Sequence, residues 1–181
     1  MSKDDRYRRG VGVMLLNREG KVFVGARIDK PANAGRRIEA SQPWRELRAA
    51  FVQQRFGGDL DAMMRDTAAA IDEVKAAGPV GVVGFCLGGS VAFLAATRLE
   101  GVSASVALYG GQIVRYADEK PKCPMQLHFG EQDTGIPMSD VEIVRSKQPQ
   151  AEIYTYAAGH GFNCDERGAY DEPSAKLAWG R

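Results

Sequence analysis

The spacing of hydrophobic positions changes along the chain, and each change predicts a different kind of element. Over residues 59–77, Leu60, Met63, Met64, Thr67, Ile71 and Val74 recur every three or four positions, the repeat of one face of a helix. Asp59 stands as its N-cap, and Gly78-Pro79 halts it, since neither residue continues a helix well. That stripe predicts core packing. Beyond it, short apolar runs predict strands at 80–85, 103–109, 124–129 and 151–156, separated by helices at 88–99 and 138–146 and followed by one at 173–179. Strands separated by helices predict an α/β fold with a mostly parallel sheet, because a parallel crossover needs a covering helix.

Before residue 59 the pattern differs. The runs VGVMLL (11–16) and KVFVGA (21–26) flank Asn17-Arg18-Glu19-Gly20, whose Asn and Gly favour a turn, so a β-hairpin is predicted. Residues 29–41 (DKPANAGRRIEAS) are polar, contain Pro and Gly, and have no sustained period. They read as a linker and divide the chain into segments 1–33 and 34–181. Residues 44–55 are weakly helical.

Composition narrows the class of protein. A chain of 181 residues with 44% hydrophobic and 26% charged residues can build one core, and no apolar stretch approaches the ~20 residues that span a bilayer. With 24 Lys and Arg against 23 Asp and Glu, the net charge is +1, so neither nucleic acid nor a membrane surface is an expected partner. Cys86, Cys123 and Cys164 are an odd count at wide spacings, which argues against a disulfide framework and against a zinc knuckle. Residues 1–10 lack the apolar core of a signal peptide, so a cytoplasmic location is expected.

The strongest chemical signal is Gly84-Phe85-Cys86-Leu87-Gly88, a G-x-C-x-G between an apolar strand and a helix. It has the form of a nucleophile elbow, in which a sharp turn lifts the side chain above the sheet. The glycines permit the turn, the helix N-terminus favours a thiolate, and the backbone N–H of Leu87 points where an oxyanion would form. The alternative is that Cys86 is a small buried hydrophobe in a glycine-rich turn. In open α/β sheets, functional groups gather beyond the carboxyl ends of the strands, and Asp133 and His160 both follow strand ends. The order nucleophile, acid, histidine matches that of a hydrolase triad. His160, in Ala158-Gly159-His160-Gly161-Phe162, is the candidate base. Asp133 is the candidate orienting acid, with Glu131 as the substitute if Asp133 points away. His128 lies inside the strand PMQLHF, where a structural role is expected, as it is for Cys123 and Cys164.

From about residue 36 onward the chain resembles the dienelactone hydrolase family of α/β-hydrolases, on the blocks GFCLGG (84–89), LHFGEQDTGIP (127–137) and GHGFNCDERGAYD (159–171). The resemblance spans about four fifths of the chain. It implies Cys86 as nucleophile, His160 as general base and Asp133 as orienting acid, acting on a small-molecule lactone or carboxylic ester through an acyl-enzyme. It implies no metal and no organic cofactor. Family members also hold a substrate carboxylate with an arginine four residues after the histidine, where this chain has Cys164, a departure from the pattern.

The strands that open the family's sheet, which also supply a second oxyanion donor, have no counterpart in the pattern of this chain. Residues 1–33 instead resemble the N-terminus of Nudix RNA pyrophosphohydrolases, yet the metal-binding box of that family is missing. Arg45-Glu46-Leu47 is followed by Arg48-Ala49-Ala50, where two glutamates should stand, and Arg37 takes the place of the first glutamate. The expectation is therefore an incomplete α/β-hydrolase fold preceded by a hairpin, with ester hydrolysis impaired by about 10²–10³ for one lost oxyanion donor. An exposed sheet edge would favour self-association. The competing readings are an inactive hydrolase remnant acting as a packing module and, against the missing glutamates, a Nudix pyrophosphohydrolase.

Overall fold

A computed structural model describes residues 60–165 and 167–181. The predicted hairpin, the linker at 29–41, the helix at 44–55, the boundary between 33 and 34 and the Asp59 cap lie outside the described residues.

Helix α1 (Leu60–Val74) buries Met63, Met64, Thr67, Ile71 and Val74 of the expected stripe, with Ala70 joining them and Leu60 only half-buried. Thr67 adds no polar cost there, because its hydroxyl donates to the carbonyl of Met63 at 2.7 Å. A 3-10 turn, Lys75–Ala77, follows the helix and ends at Gly78, whose φ of 139° few other residues adopt.

Four strands then form one parallel sheet in sequence order: β1 (Val80–Phe85), β2 (Val102–Leu108), β3 (Met125–Gly130) and β4 (Glu152–Tyr156). Between them run α2 (Leu87–Arg98) and α3 (Met138–Lys147), and α4 (Glu172–Trp179) closes the chain. Most boundaries fall within one or two residues of those the pattern predicts. The fold class is the expected α/β one, built on a parallel sheet.

Between β2 and β3, where the pattern predicts no helix, runs a 3-10 turn, Ile113–Tyr116, with Ile113 buried at 1% exposure. One residue departs from the pattern: Tyr109, expected as the last residue of its strand, turns out of the ladder with φ 41°. Among the described residues β1 has one strand neighbour, β2, and no helix is long and apolar enough to cross a membrane.

Helix α2 explains its own composition. It packs on β1, β2 and α1, and every residue from 88 to 97 is buried, so it carries small and apolar side chains on all sides. The β2–β3 connection is fastened at both ends. Glu119 takes a salt bridge from Arg98 at 2.6 Å and a hydrogen bond from the Thr97 hydroxyl at 2.7 Å, anchoring it to the end of α2. Gln148, only 1% exposed, donates from Nε2 to the carbonyls of Ala117 and Glu119, each at 2.6 Å.

His128 is structural, as its position in a strand suggests. It is 1% exposed, its Nδ1 lies 2.7 Å from the Tyr156 hydroxyl, and its ring stacks on that of Tyr156 at 5.8 Å. Burial, reinforced by nearby Arg181, depresses its pKa to about 4 from an ordinary value of 6.5.

Two outcomes follow from these contacts. Gln148→Leu should cost about 2 kcal/mol in chemical denaturation, because two carbonyls lose their donor inside the protein. For His128, the unfolded chain takes up a proton at higher pH than the native one. Its contribution to stability is therefore complete above pH 6.5 and lost as the pH falls through about 4. Thermal melts between those pH values should show a shallower acid dependence for His128→Gln than for the unmodified protein.

Candidate active site

The site begins at the passage from β1 to α2. Cys86 stands between them with φ 57° and ψ −123°, a left-handed conformation that side chains enter only at a cost of about 1–3 kcal/mol. Its N–H donates to the carbonyl of Leu108 on β2 at 3.0 Å, and its own carbonyl accepts from Gly89 N–H at 2.9 Å. The turn is tight enough that a Cβ on Gly84 would sit 1.8 Å from the carbonyl oxygen of Gly88. Only glycine fits at that position, which is the physical reason for the first glycine of G-x-C-x-G.

Leu87 is the first residue of α2. The leading N–H groups of a helix have no partner within it, so the Leu87 amide is available to a ligand atom beside Cys86.

The other two candidates arrive from the same edge of the sheet. Asp133 follows β3 and His160 follows β4. Asp133 is buried, and its Oδ1 accepts from the N–H groups of Gly135 at 2.8 Å and Ile136 at 3.2 Å. This fixes the carboxylate so that Oδ2 lies 2.6 Å from Nδ1 of His160. Nε2 of the same ring lies 3.0 Å from Sγ of Cys86. A carboxylate only accepts, so Nδ1 carries the proton and Nε2 is the nitrogen turned to the sulfur.

The contact with Cys86 is the largest influence on His160, followed by partial burial, which opposes it, and by the bond to Asp133. Together they raise the imidazole from 6.5 to about 8. An imidazolium next to a cysteine favours its thiolate form. The constellation can therefore present a sulfur nucleophile, a proton carrier and a fixed orienting carboxylate along one line.

The structure brings Cys86, His160 and Asp133 together and leaves the alternatives outside. Glu131, the substitute acid, is exposed and accepts from the Thr155 hydroxyl at 2.8 Å. His128 belongs to the Tyr156 stack. Cys123 is half-buried against the core, and burial pushes its thiol pKa up. Cys164, also half-buried, lies in the turn after His160, where its N–H donates to the carbonyl of Gly161 at 2.9 Å. Among the described residues no group of three His, Cys, Asp or Glu side chains converges as a metal site.

One neighbour of the site escaped the sequence pattern. Tyr109, 2% exposed, sets its ring edge-on to His160 with centroids 5.2 Å apart. The rule that functional groups follow strand ends, applied to the strand beside the elbow strand, would have singled it out.

Comparison with known proteins identifies the family of the chain. The family model described as Dienelactone hydrolase family matches residues 6–181. The match thus begins at residue 6, inside the 1–33 segment, where the motifs alone place its start near residue 36. The chain is 31% identical over 160 residues to a carboxymethylenebutenolidase of Pseudomonas putida, covering 85% of this chain and 64% of that protein. It is 36% identical over 115 residues to a Salmonella typhimurium protein assigned the same activity, covering 55% of this chain and 43% of that one. The chain therefore spans about half to two thirds of the length of these relatives. Among solved structures, it superposes on a protein of Klebsiella pneumoniae assigned as a dienelactone hydrolase with TM-score 0.61 and 28% identity, covering 69% of this chain and 60% of that one. An alpha-beta serine hydrolase homologue from Coxiella burnetii shares the fold, with TM-score 0.58 at 17% identity over 74% of this chain and 65% of that one. On the match across residues 6–181, the chain belongs to the dienelactone hydrolase family.

Proposed function

We propose that this protein hydrolyses small carboxylic esters or lactones through a Cys86–His160–Asp133 triad. The observation that carries the reading is the unbroken series of contacts from Sγ of Cys86 to Nε2 of His160 at 3.0 Å and from Nδ1 to Asp133 at 2.6 Å. Family membership and the likeness to carboxymethylenebutenolidases support an ester or lactone as substrate.

The chemistry runs in two halves. The Cys86 thiolate attacks the carbonyl carbon, a C–S bond forms, and the carbonyl electron pair moves onto oxygen, facing the Leu87 N–H. As the tetrahedral species collapses, the bond to the leaving oxygen breaks and His160 supplies its proton. Neutral His160 then removes a proton from water, the resulting hydroxide attacks the thioester, and the Cys86 thiolate leaves with release of the acid. Asp133 keeps the imidazole turned so that Nε2 serves both halves. Leu87 is the one oxyanion donor identified among the described residues, and one lost donor costs about 10²–10³ in turnover, so a low rate is expected.

Cys86→Ala should abolish hydrolysis of a nitrophenyl ester, and Asp133→Asn should lower kcat by about 10⁴ through the wrong imidazole tautomer. Unchanged rates in both variants would refute the triad. The raised pKa of His160 adds a sign. The imidazolium persists to about pH 8, so hydrolysis of an alkyl ester, whose leaving alkoxide needs a proton, should decline above that pH. A nitrophenyl ester leaves without a proton and should show no such decline.

A further inference from the structure

Tyr109 occupies a backbone conformation that its side chain does not favour. Its φ is 41°, in the left-handed region where glycine and asparagine are the usual residues. The chain has little freedom there. The Tyr109 N–H is held by the carbonyl of His128 at 2.7 Å, and the next residue, Gly110, backs so closely onto α2 that a Cβ would sit 2.7 Å from the amide nitrogen of Ser90. A strained conformation persists when its surroundings over-determine it, and such positions cluster at functional sites.

What the strain secures is a grip on the segment that carries His160. The Tyr109 ring meets His160 edge-on at 5.2 Å and Phe162 edge-on at 5.3 Å. Two rings within 160–163, those of His160 and Phe162, thus rest on one side chain from β2's end, whereas Asp133 controls only the Nδ1 side of the imidazole. Burial raises the pKa of the tyrosine well above its ordinary value, so the hydroxyl stays neutral. The charged or titratable groups facing this pocket are Cys86 from the elbow, Asp133 from the β3 loop, and Cys164 and Arg167 from the loop of His160 itself.

We propose that Tyr109 is a positioning residue that holds the His160 imidazole in register with Cys86, its ring set edge-on against the imidazole and against Phe162 of the same loop. The inference rests on the reading of Cys86 and His160 as the reacting pair.

The test compares unmodified protein, Tyr109→Leu, Tyr109→Phe and His160→Ala. Tyr109→Leu removes the ring edge, and Tyr109→Phe keeps it as the conservative variant. One readout needs no ester substrate: the rate at which iodoacetamide alkylates Cys86, followed by mass spectrometry at pH 6 relative to pH 9. The other is the division between kcat and KM for a nitrophenyl ester. His160→Ala should lower the alkylation ratio by at least about tenfold. Tyr109→Leu should lower it by about threefold and lower kcat by about tenfold, with KM nearly unchanged, and Tyr109→Phe, which keeps the ring edge, should recover most of both. If Tyr109→Leu melts earlier yet matches the unmodified protein in both readouts, the tyrosine is merely structural and the proposal fails. If His160→Ala matches the unmodified protein in the alkylation ratio, the paired site itself is refuted and the positioning role falls with it.

Discussion

The left-handed turn at Cys86 is the constraint on which the rest of the site depends. A side chain with φ 57° is unfavourable on its own, and it is sustained by what surrounds it. Gly84 lets the Gly88 carbonyl come close, Leu108 accepts the Cys86 amide, and α2 is buried along nearly its whole length between the sheet and α1. Packing of an all-round apolar helix offsets the local strain. The same packing aims the start of that helix at the sulfur, so the scaffold and the electrostatics of Cys86 are set by one structural decision.

The parallel sheet supplies the second condition. Because β1, β2, β3 and β4 all run the same way, their carboxyl ends share one edge, and the segments leaving them carry Cys86, Tyr109, Asp133 and His160. The chain's two histidines show how strongly position within that sheet governs chemistry. His128, inside β3, is buried against Tyr156 and kept neutral with a pKa of about 4. His160, beyond β4, meets Cys86 and Asp133 and is raised to about 8. The residue type is the same; burial, reinforced by Arg181, lowers one, and hydrogen bonding to its charged form raises the other.

Much of this was legible in the chain. The helical stripe from Leu60 to Val74 and the apolar runs of the strands are local patterns, and the elements formed within a residue or two of them. Asp133 could be named from its place after a strand, but choosing it over Glu131 required the two backbone N–H groups that orient its carboxylate. Tyr109 could be reached through the strand-end rule but not from the hydrophobic pattern. Its sequence context continues a strand, and the turn that lifts it out is imposed by the close approach of Gly110 to Ser90 on another element.

The sequence by itself determined the kind and order of the elements and the turn that bears Cys86, because periodicity and the glycines of a tight turn act over a few neighbouring residues. Tertiary structure alone decided which groups meet. Cys86 and His160 lie 74 positions apart, and Asp133 and His160 lie 27 apart. Contacts over such separations are set by strand order, register and the packing of loops at a shared edge, and none of these is written in a local pattern.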